Sequence, residues 1–150
     1  MDDRRLKFKK SLNKLYLPIY ESLCNNLGPI WQPYSGYRTA KEQDLLYSHG
    51  REDSERMVTR ARAFESPHNY GCATDWCIWD NNKPQWPEKT NKIWEEYEYA
   101  CAKAGAKWGN TFGDFPHNEL CLSVPWKEVS KVYYKSGLVA AEEFIRQNIV

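Results

Sequence analysis

An aspartate stands in the middle of the most strand-like run of this chain, Cys72-Ala73-Thr74-Asp75-Trp76-Cys77-Ile78-Trp79. Alternation along a strand places Ala73, Asp75, Cys77 and Trp79 on one face and Thr74, Trp76 and Ile78 on the other. Burying an ionised carboxylate among such residues is costly unless it binds a cation or is fully hydrogen-bonded. The chain must therefore bring polar or cationic partners to position 75. Two of its three histidines are the obvious donors. His68 lies just upstream in Ser66-Pro67-His68-Asn69-Tyr70-Gly71, and His117 closes Asp114-Phe115-Pro116-His117.

The rest of the chain reads as alternating helices and short strands. Leu12, Leu15, Tyr16, Ile19, Tyr20, Leu23 and Leu27 recur at helical spacing, with Pro18 set to kink or divide the helix. Ahead of it, Arg4, Arg5, Lys7, Lys9, Lys10 and Lys14 form a basic cluster, expected to be a solvated helix face. Residues 30–37 read as a strand and turn. Thr39 and Glu42 form a capping box for a helix that stops at Gly50, and 51–62 reads as a charged, mobile loop. Residues 80–87 are turn chemistry, and 88–104 a helix capped by Gly105. Short strands are expected at Lys107-Trp108 and over 119–124, and closing helices over 126–134 and 138–149. The expectation is a single α+β domain over residues 1–150, a small antiparallel sheet flanked by helices.

With 150 residues, a chain can bury roughly 70% of its unfolded surface. The 7 Trp, 10 Tyr and 5 Phe rule out disorder as its main state, and a net charge of +1 argues against a general polyanion binder such as a nucleic-acid protein. Five cysteines at irregular spacing suggest reduced thiols rather than a disulfide framework, and the Cys72/Cys77 pair alone is a weak zinc signal. No run approaches the ~18 apolar residues of a membrane span. The amino terminus lacks a secretory pattern, so synthesis in the cytoplasm is expected.

His68, Asp75 and His117 make a set of two imidazoles and one carboxylate. Three protein ligands are typical of catalytic zinc, which polarises a carbonyl and acidifies water. Spacing alone leaves two readings open, a metal site and a hydrogen-bonded structural cluster. A carboxylate near such a site serves as general base and acid. Asp114 is the first candidate, and Glu119, two residues beyond His117 on the same strand face, is the second.

Three motifs resemble the M15 family of zinc peptidases, which includes D-Ala-D-Ala dipeptidases and carboxypeptidases and the L-alanyl-D-glutamate endopeptidases of phage lysins. They are Ser35-Gly36-Tyr37-Arg38-Thr39 with Glu42-Gln43, Ser66 to Asp75 as Ser-x-His-x-x-Gly-x-x-x-Asp, and Trp108-Gly109 followed by Asp114-Phe115-Pro116-His117. The resemblance implies a hedgehog/DD-peptidase-like fold and one zinc ion on His68, Asp75 and His117. It makes Asp114 the proton-transfer group and Arg38 the group that binds a substrate carboxylate or an oxyanion. Ser66, Trp108 and Gln43 would contact substrate, Gln43 alternatively by fixing Arg38. Asn110-Thr111-Phe112 and Asn118 depart from the family pattern beside the site.

The leading expectation is therefore a zinc-dependent endolysin cutting the L-alanyl-D-glutamate bond of peptidoglycan stem peptides. It would act as a monomer, without membrane insertion or a separate wall-binding module, and be released from the host cytoplasm by a holin. A cytosolic D-Ala-D-Ala dipeptidase or carboxypeptidase is the alternative. A non-catalytic module binding anionic polymers through the basic cluster is a third reading.

Overall fold

The computed structural model describes residues 2–120 and 123–148. The described chain is α+β, six α-helices with a five-stranded antiparallel sheet. It divides into two compact units, one made of Met1–Tyr37 and Gly71–Leu122, the other of Arg38–Tyr70 and Ser123–Val150.

The first unit holds the whole sheet. Its central strand is β2 (Ala73–Asp80), the run that contains Asp75. On one edge β2 pairs with β1 (Trp31–Ser35). On the other it pairs with β5 (His117–Glu119) at one end and with β3 (Lys83–Gln85) at the other, and β4 (Lys107–Trp108) completes the order beyond β5. The turn expected at 80–87 is thus a hairpin, in which Asn81 and Asn82 both adopt positive φ (49° and 61°). Positive φ at both central positions suits a two-residue hairpin turn and is tolerated by Asn. Of the strand expected over 119–124, only its first residue is in β5, and Cys121 and Leu122 lie outside the described residues.

Three helices belong to this unit: α1 (Asp3–Ser11), α2 (Leu17–Asn26) and α4 (Trp94–Ala104). Pro18 opens α2 instead of kinking a longer helix, because its missing N–H costs nothing in a first turn. Helix α4 starts six residues later than the pattern suggests, after turns built by Asn91 and the 88–93 segment. Trp31, Tyr20, Leu23, Trp76, Tyr97 and Leu120 are fully buried and form the core. Trp31 stacks on Tyr97 with centroids 5.2 Å apart and meets Trp94 at 5.4 Å.

The basic cluster of α1 is not uniformly solvated. Arg5 is buried, and its guanidinium donates to the carbonyls of Cys24 (2.8 Å), Gly28 (2.9 Å), Trp31 (2.8 Å) and Leu27 (3.3 Å). One side chain thereby satisfies the end of α2 and the entry to β1, carbonyls that α2 itself leaves unpaired. Cys24, Cys72, Cys77 and Cys101 are buried and in no disulfide, in keeping with reduced thiols, and burial pushes Cys77 up to about 11 and Cys101 to about 12.

The second unit is helical: α3 (Ala40–Ser48), α5 (Trp126–Ser136) and α6 (Leu138–Gln147). Thr39 and Glu42 close the expected capping box on α3. Segment 51–62 has no regular structure, but polar contacts tie it to α3. Arg51 stacks on Tyr47 and donates to the Tyr47 and Thr59 carbonyls, and Asp53 accepts from the Gly50 N–H and meets His49. Phe64 stacks on Tyr133 at 4.0 Å, and Tyr70 on Trp126 at 5.9 Å.

Replacing Arg5 with Met strands several buried carbonyls that a charged donor now serves. The expected cost is about 3 kcal/mol or more of folding stability, read by urea denaturation against wild type.

Candidate active site

Strand pairing delivers the first polar partners of Asp75. On the β5 side Asp75 stands opposite His117, and the imidazole Nδ1 lies 3.2 Å from Oδ1. On the β1 side the partner is Ser35, whose hydroxyl hydrogen-bonds Asp75 Oδ2. That contact depends on an irregularity in β1. Pro33 faces Trp76, and a regular continuation would set Ser35 against Thr74, on the other face. The register shift between Pro33 and Ser35 inserts one residue and turns Ser35 toward Asp75 instead. A bulge of this kind re-aims a side chain, and it accommodates a proline that cannot donate to the ladder.

Glu119 shares this face. It pairs with Ala73, two residues before Asp75, and its Oε1 lies 3.7 Å from His117 Nε2. Burial disfavours a proton on the His117 ring, but the carboxylates of Asp75 and Glu119 outweigh it and hold the imidazole up at about 9. An imidazolium has no lone pair to give, so cation uptake there displaces a proton. The Phe112 ring meets the His117 ring edge-on at 5.7 Å.

The opposite face of the same strands carries a buried polar network. Asn118 Nδ2 donates to Thr74 Oγ1 (2.9 Å) and to Tyr97 Oη (2.7 Å). Tyr97 Oη donates to the Pro116 carbonyl (2.6 Å), and Trp76 Nε1 donates to Thr74 Oγ1 (2.9 Å). At Asn118, one of the departures from the family pattern, this chain thus uses an amide that bonds both to β2 and to α4. Trp108 stands opposite Asn118 on this face, packed against Phe115 and Tyr97, with its Nε1 donating to the Phe115 carbonyl. The cleft-lining position expected for Trp108 is therefore not where its ring sits, because register places it one residue out of phase with His117 and Glu119.

Asp114 is exposed, in the turn that enters β5. Its N–H donates to the Gly109 carbonyl (2.9 Å), and its own carbonyl accepts from the His117 N–H (3.2 Å). Gly109 permits this: a Cβ there would lie 2.3 Å from the Asp114 carbonyl oxygen and 3.0 Å from His117 Cβ. The glycine of the Trp-Gly motif is thus a packing requirement of the Asp114 to His117 turn.

Arg38, Gln43, Ser66 and His68 are held together by backbone and amide bonds. The Arg38 N–H donates to the His68 carbonyl (3.0 Å), and Asn69 Nδ2 donates to the Arg38 carbonyl (2.9 Å). Gln43 is fully buried. Its Oε1 accepts from the Arg38 guanidinium (2.8 Å) and its Nε2 donates to the Ala61 carbonyl (2.7 Å), so it fixes Arg38 and offers no surface to a substrate. Ser66 is buried too, its hydroxyl accepting from the His68 N–H (3.2 Å) at the start of the short 3-10 turn Pro67–Tyr70. Asn69 and Ser35 lie within the motifs, with no role that residue type and spacing announce. Their hydrogen bonds become visible only in three dimensions.

Asp75 and His117 set a carboxylate and an imidazole side by side on neighbouring strands of the first unit, and His68 offers a second imidazole from the 3-10 turn of the second. Two imidazoles and one carboxylate are the donor set of zinc and also of non-haem iron. The Ser35 hydroxyl on Asp75 and the Glu119 carboxylate beside His117 are the kind of outer support that orients such ligands. The group fits a metal ion.

Residues 59–120 match a peptidase M15 family model described as D-alanyl-D-alanine carboxypeptidase. The chain is 36% identical over 96 residues to the peptidoglycan L-alanyl-D-glutamate endopeptidase CwlK of Bacillus subtilis, and it spans 57% of that relative's length, with 57% of this chain aligned. Its fold is similar to that of the Serratia marcescens L-Ala D-Glu endopeptidase ChiX, with a TM-score of 0.58 at 14% identity over 87% of this chain and 92% of that one. It is also similar to the vancomycin-resistance D,D-dipeptidase VanXYg, with a TM-score of 0.55 at 20% identity over 91% of this chain and 59% of that one.

Substituting Asn118 by Leu removes two buried donor contacts while keeping volume. The expected loss is about 2 kcal/mol of stability in urea titration, with β2 and β5 backbone amides losing protection in hydrogen exchange.

Proposed function

We propose that this chain belongs to the M15 peptidase family and is a metallopeptidase that hydrolyses the L-alanyl-D-glutamate bond of peptidoglycan stem peptides. The observation that carries the reading is the pairing of Asp75 with His117 across β2 and β5, which sets a carboxylate beside an imidazole in the ligand set that the resemblance implies. His68, Asp75 and His117 would hold zinc, which when bound would supply Lewis-acid polarisation of the scissile carbonyl and lower the pKa of water.

The chain's own residues supply the remaining chemistry. Asp114, three residues before His117 and exposed, accepts the proton of the attacking water as its oxygen bonds to the carbonyl carbon. It passes that proton to the leaving amine as the C–N bond breaks. Arg38, locked by Gln43, presents a planar, permanently charged fork to a stem-peptide carboxylate or to the oxyanion. Glu119, buried and 3.7 Å from His117, steadies the imidazole rather than serving as base.

In its finer form the proposal makes the protein a phage-type endolysin, stored in the host cytoplasm and acting on the wall as a monomer after holin opening. What supports it is the resemblance of its arginine and His68-Asn69-Tyr70-Gly71 segments to the M15 family, which includes the endopeptidases of phage lysins. The second reading, D-Ala-D-Ala dipeptidase or carboxypeptidase, is favoured by the description of the matched family model and by the likeness to VanXYg.

Mass spectrometry of a peptidoglycan digest separates them. Zinc-restored protein is expected to expose new D-glutamate amino termini, and metal-stripped protein none; free D-alanine instead supports the second reading. His68→Ala is expected to abolish stoichiometric zinc retention in equilibrium dialysis.

The base assignment is tested at retained zinc. Asp114→Asn should lower kcat by about 10²–10⁴-fold, while Glu119→Gln should leave turnover within about tenfold of wild type. Loss of turnover in the Glu119 variant alone would transfer the role to Glu119.

A further inference from the structure

The peptidase chemistry leaves the basic amino-terminal segment unused. Residues 4–14 contain six basic side chains and no acidic one, in a chain whose net charge is only +1. The structure accounts for two of these charges. Arg5 is buried on carbonyls, and Arg4 stacks on Trp79 at 4.0 Å and donates to the Pro33 carbonyl. Lys9, Lys10 and Lys14 surround something else.

Leu6, Leu12 and Leu17 line a cavity of about 340 Å³, and Lys9, Lys10 and Lys14 stand at the same cavity. Lys9 pairs with Glu21 at 2.5 Å, whereas Lys10 and Lys14 are exposed. Leu6 is 40% exposed, and Leu15, in the adjoining 3-10 turn, is 48% exposed. A segment adapted only to water would cover its leucines and intersperse acids among its lysines. A soluble polyanion would engage the lysines and leave the leucines unmatched.

We propose that this face docks on an anionic phospholipid surface, with Lys10 and Lys14 at the headgroup phosphates and Leu6 and Leu15 against the acyl boundary. Lysines near an anionic surface attract its headgroups, and the leucine-lined floor beside them supplies the apolar contact. The attachment is peripheral, since no helix among the described residues is long and apolar enough to cross a membrane. The inference is independent of the proposed peptidase activity, and none of these residues belongs to the candidate active site.

The test is cosedimentation of the full chain with vesicles of phosphatidylglycerol and phosphatidylcholine, with pure phosphatidylcholine vesicles and soluble polyphosphate in parallel. Wild type should bind the mixed vesicles and not the neutral ones. A lysine near an anionic surface contributes about fivefold in affinity, so Lys10→Glu with Lys14→Glu should weaken binding at least about 25-fold, and added salt should act in the same direction. Leu15→Ser should weaken vesicle binding severalfold at low and high salt alike, without changing any affinity for polyphosphate. Unchanged thermal unfolding of the variants separates lost docking from lost fold.

Absence of vesicle binding, or equal binding to neutral vesicles, overturns the proposal. So does a Leu15→Ser variant that behaves as wild type while polyphosphate competes fully, which would identify a polyanion site.

Discussion

The demand of one carboxylate on a central strand organises much of this molecule. Asp75 lies in a strand whose neighbours Thr74, Trp76 and Cys77 are wholly buried, so its charge must be met from the flanking strands. Ser35 meets it from β1 and His117 from β5. A one-residue slip on either side would carry a partner to the opposite face, since side chains alternate along a strand. The bulge in β1 and the Asn118 network both serve that register. One re-aims Ser35, and the other ties β5 to β2 and to Tyr97 on the side away from the charge.

The sheet is therefore divided by chemistry as well as by geometry. One face gathers Asp75, His117 and Glu119, and the other packs aromatic rings and closes its few polar atoms on one another. That division explains why neighbouring residues of a single motif serve different ends. His117 is a candidate ligand, Asn118 a buried strut, and Glu119 a support beside the imidazole. It also explains why Trp108, though part of a recognisable motif, is spent on packing against Phe115 and Tyr97.

Features governed by local chemistry were legible before any coordinates. Thr39 and Glu42 announce a capping box, Gly105 a left-handed helix end (φ 76°), and the alternating run after Gly71 a strand. Features that depend on distant partners were not. Arg5 belongs to a basic cluster by composition, and only the carbonyls of Cys24, Leu27, Gly28 and Trp31 reveal it as a buried clamp. Gln43 resembles a polar helix residue that could meet a ligand, until its full burial shows that Arg38 and the Ala61 carbonyl use its amide. Strand β3 was hidden because two asparagines with a proline nearby read as a loop, although positive φ at both makes them a hairpin turn.

By itself, the sequence determined the inventory of donors: two histidines, an aspartate that cannot stay unpartnered, an arginine with a glutamine five residues on, and an acid three residues before the second histidine. Spacing could specify these because each motif is local and its chemistry depends on residue type. Tertiary structure alone decided that Ser35 and His117 meet Asp75 from opposite neighbouring strands, and that Trp108 packs on Phe115 and Tyr97. Those outcomes rest on strand register and on a single inserted residue in β1, and register is set by packing between segments that lie far apart in the chain.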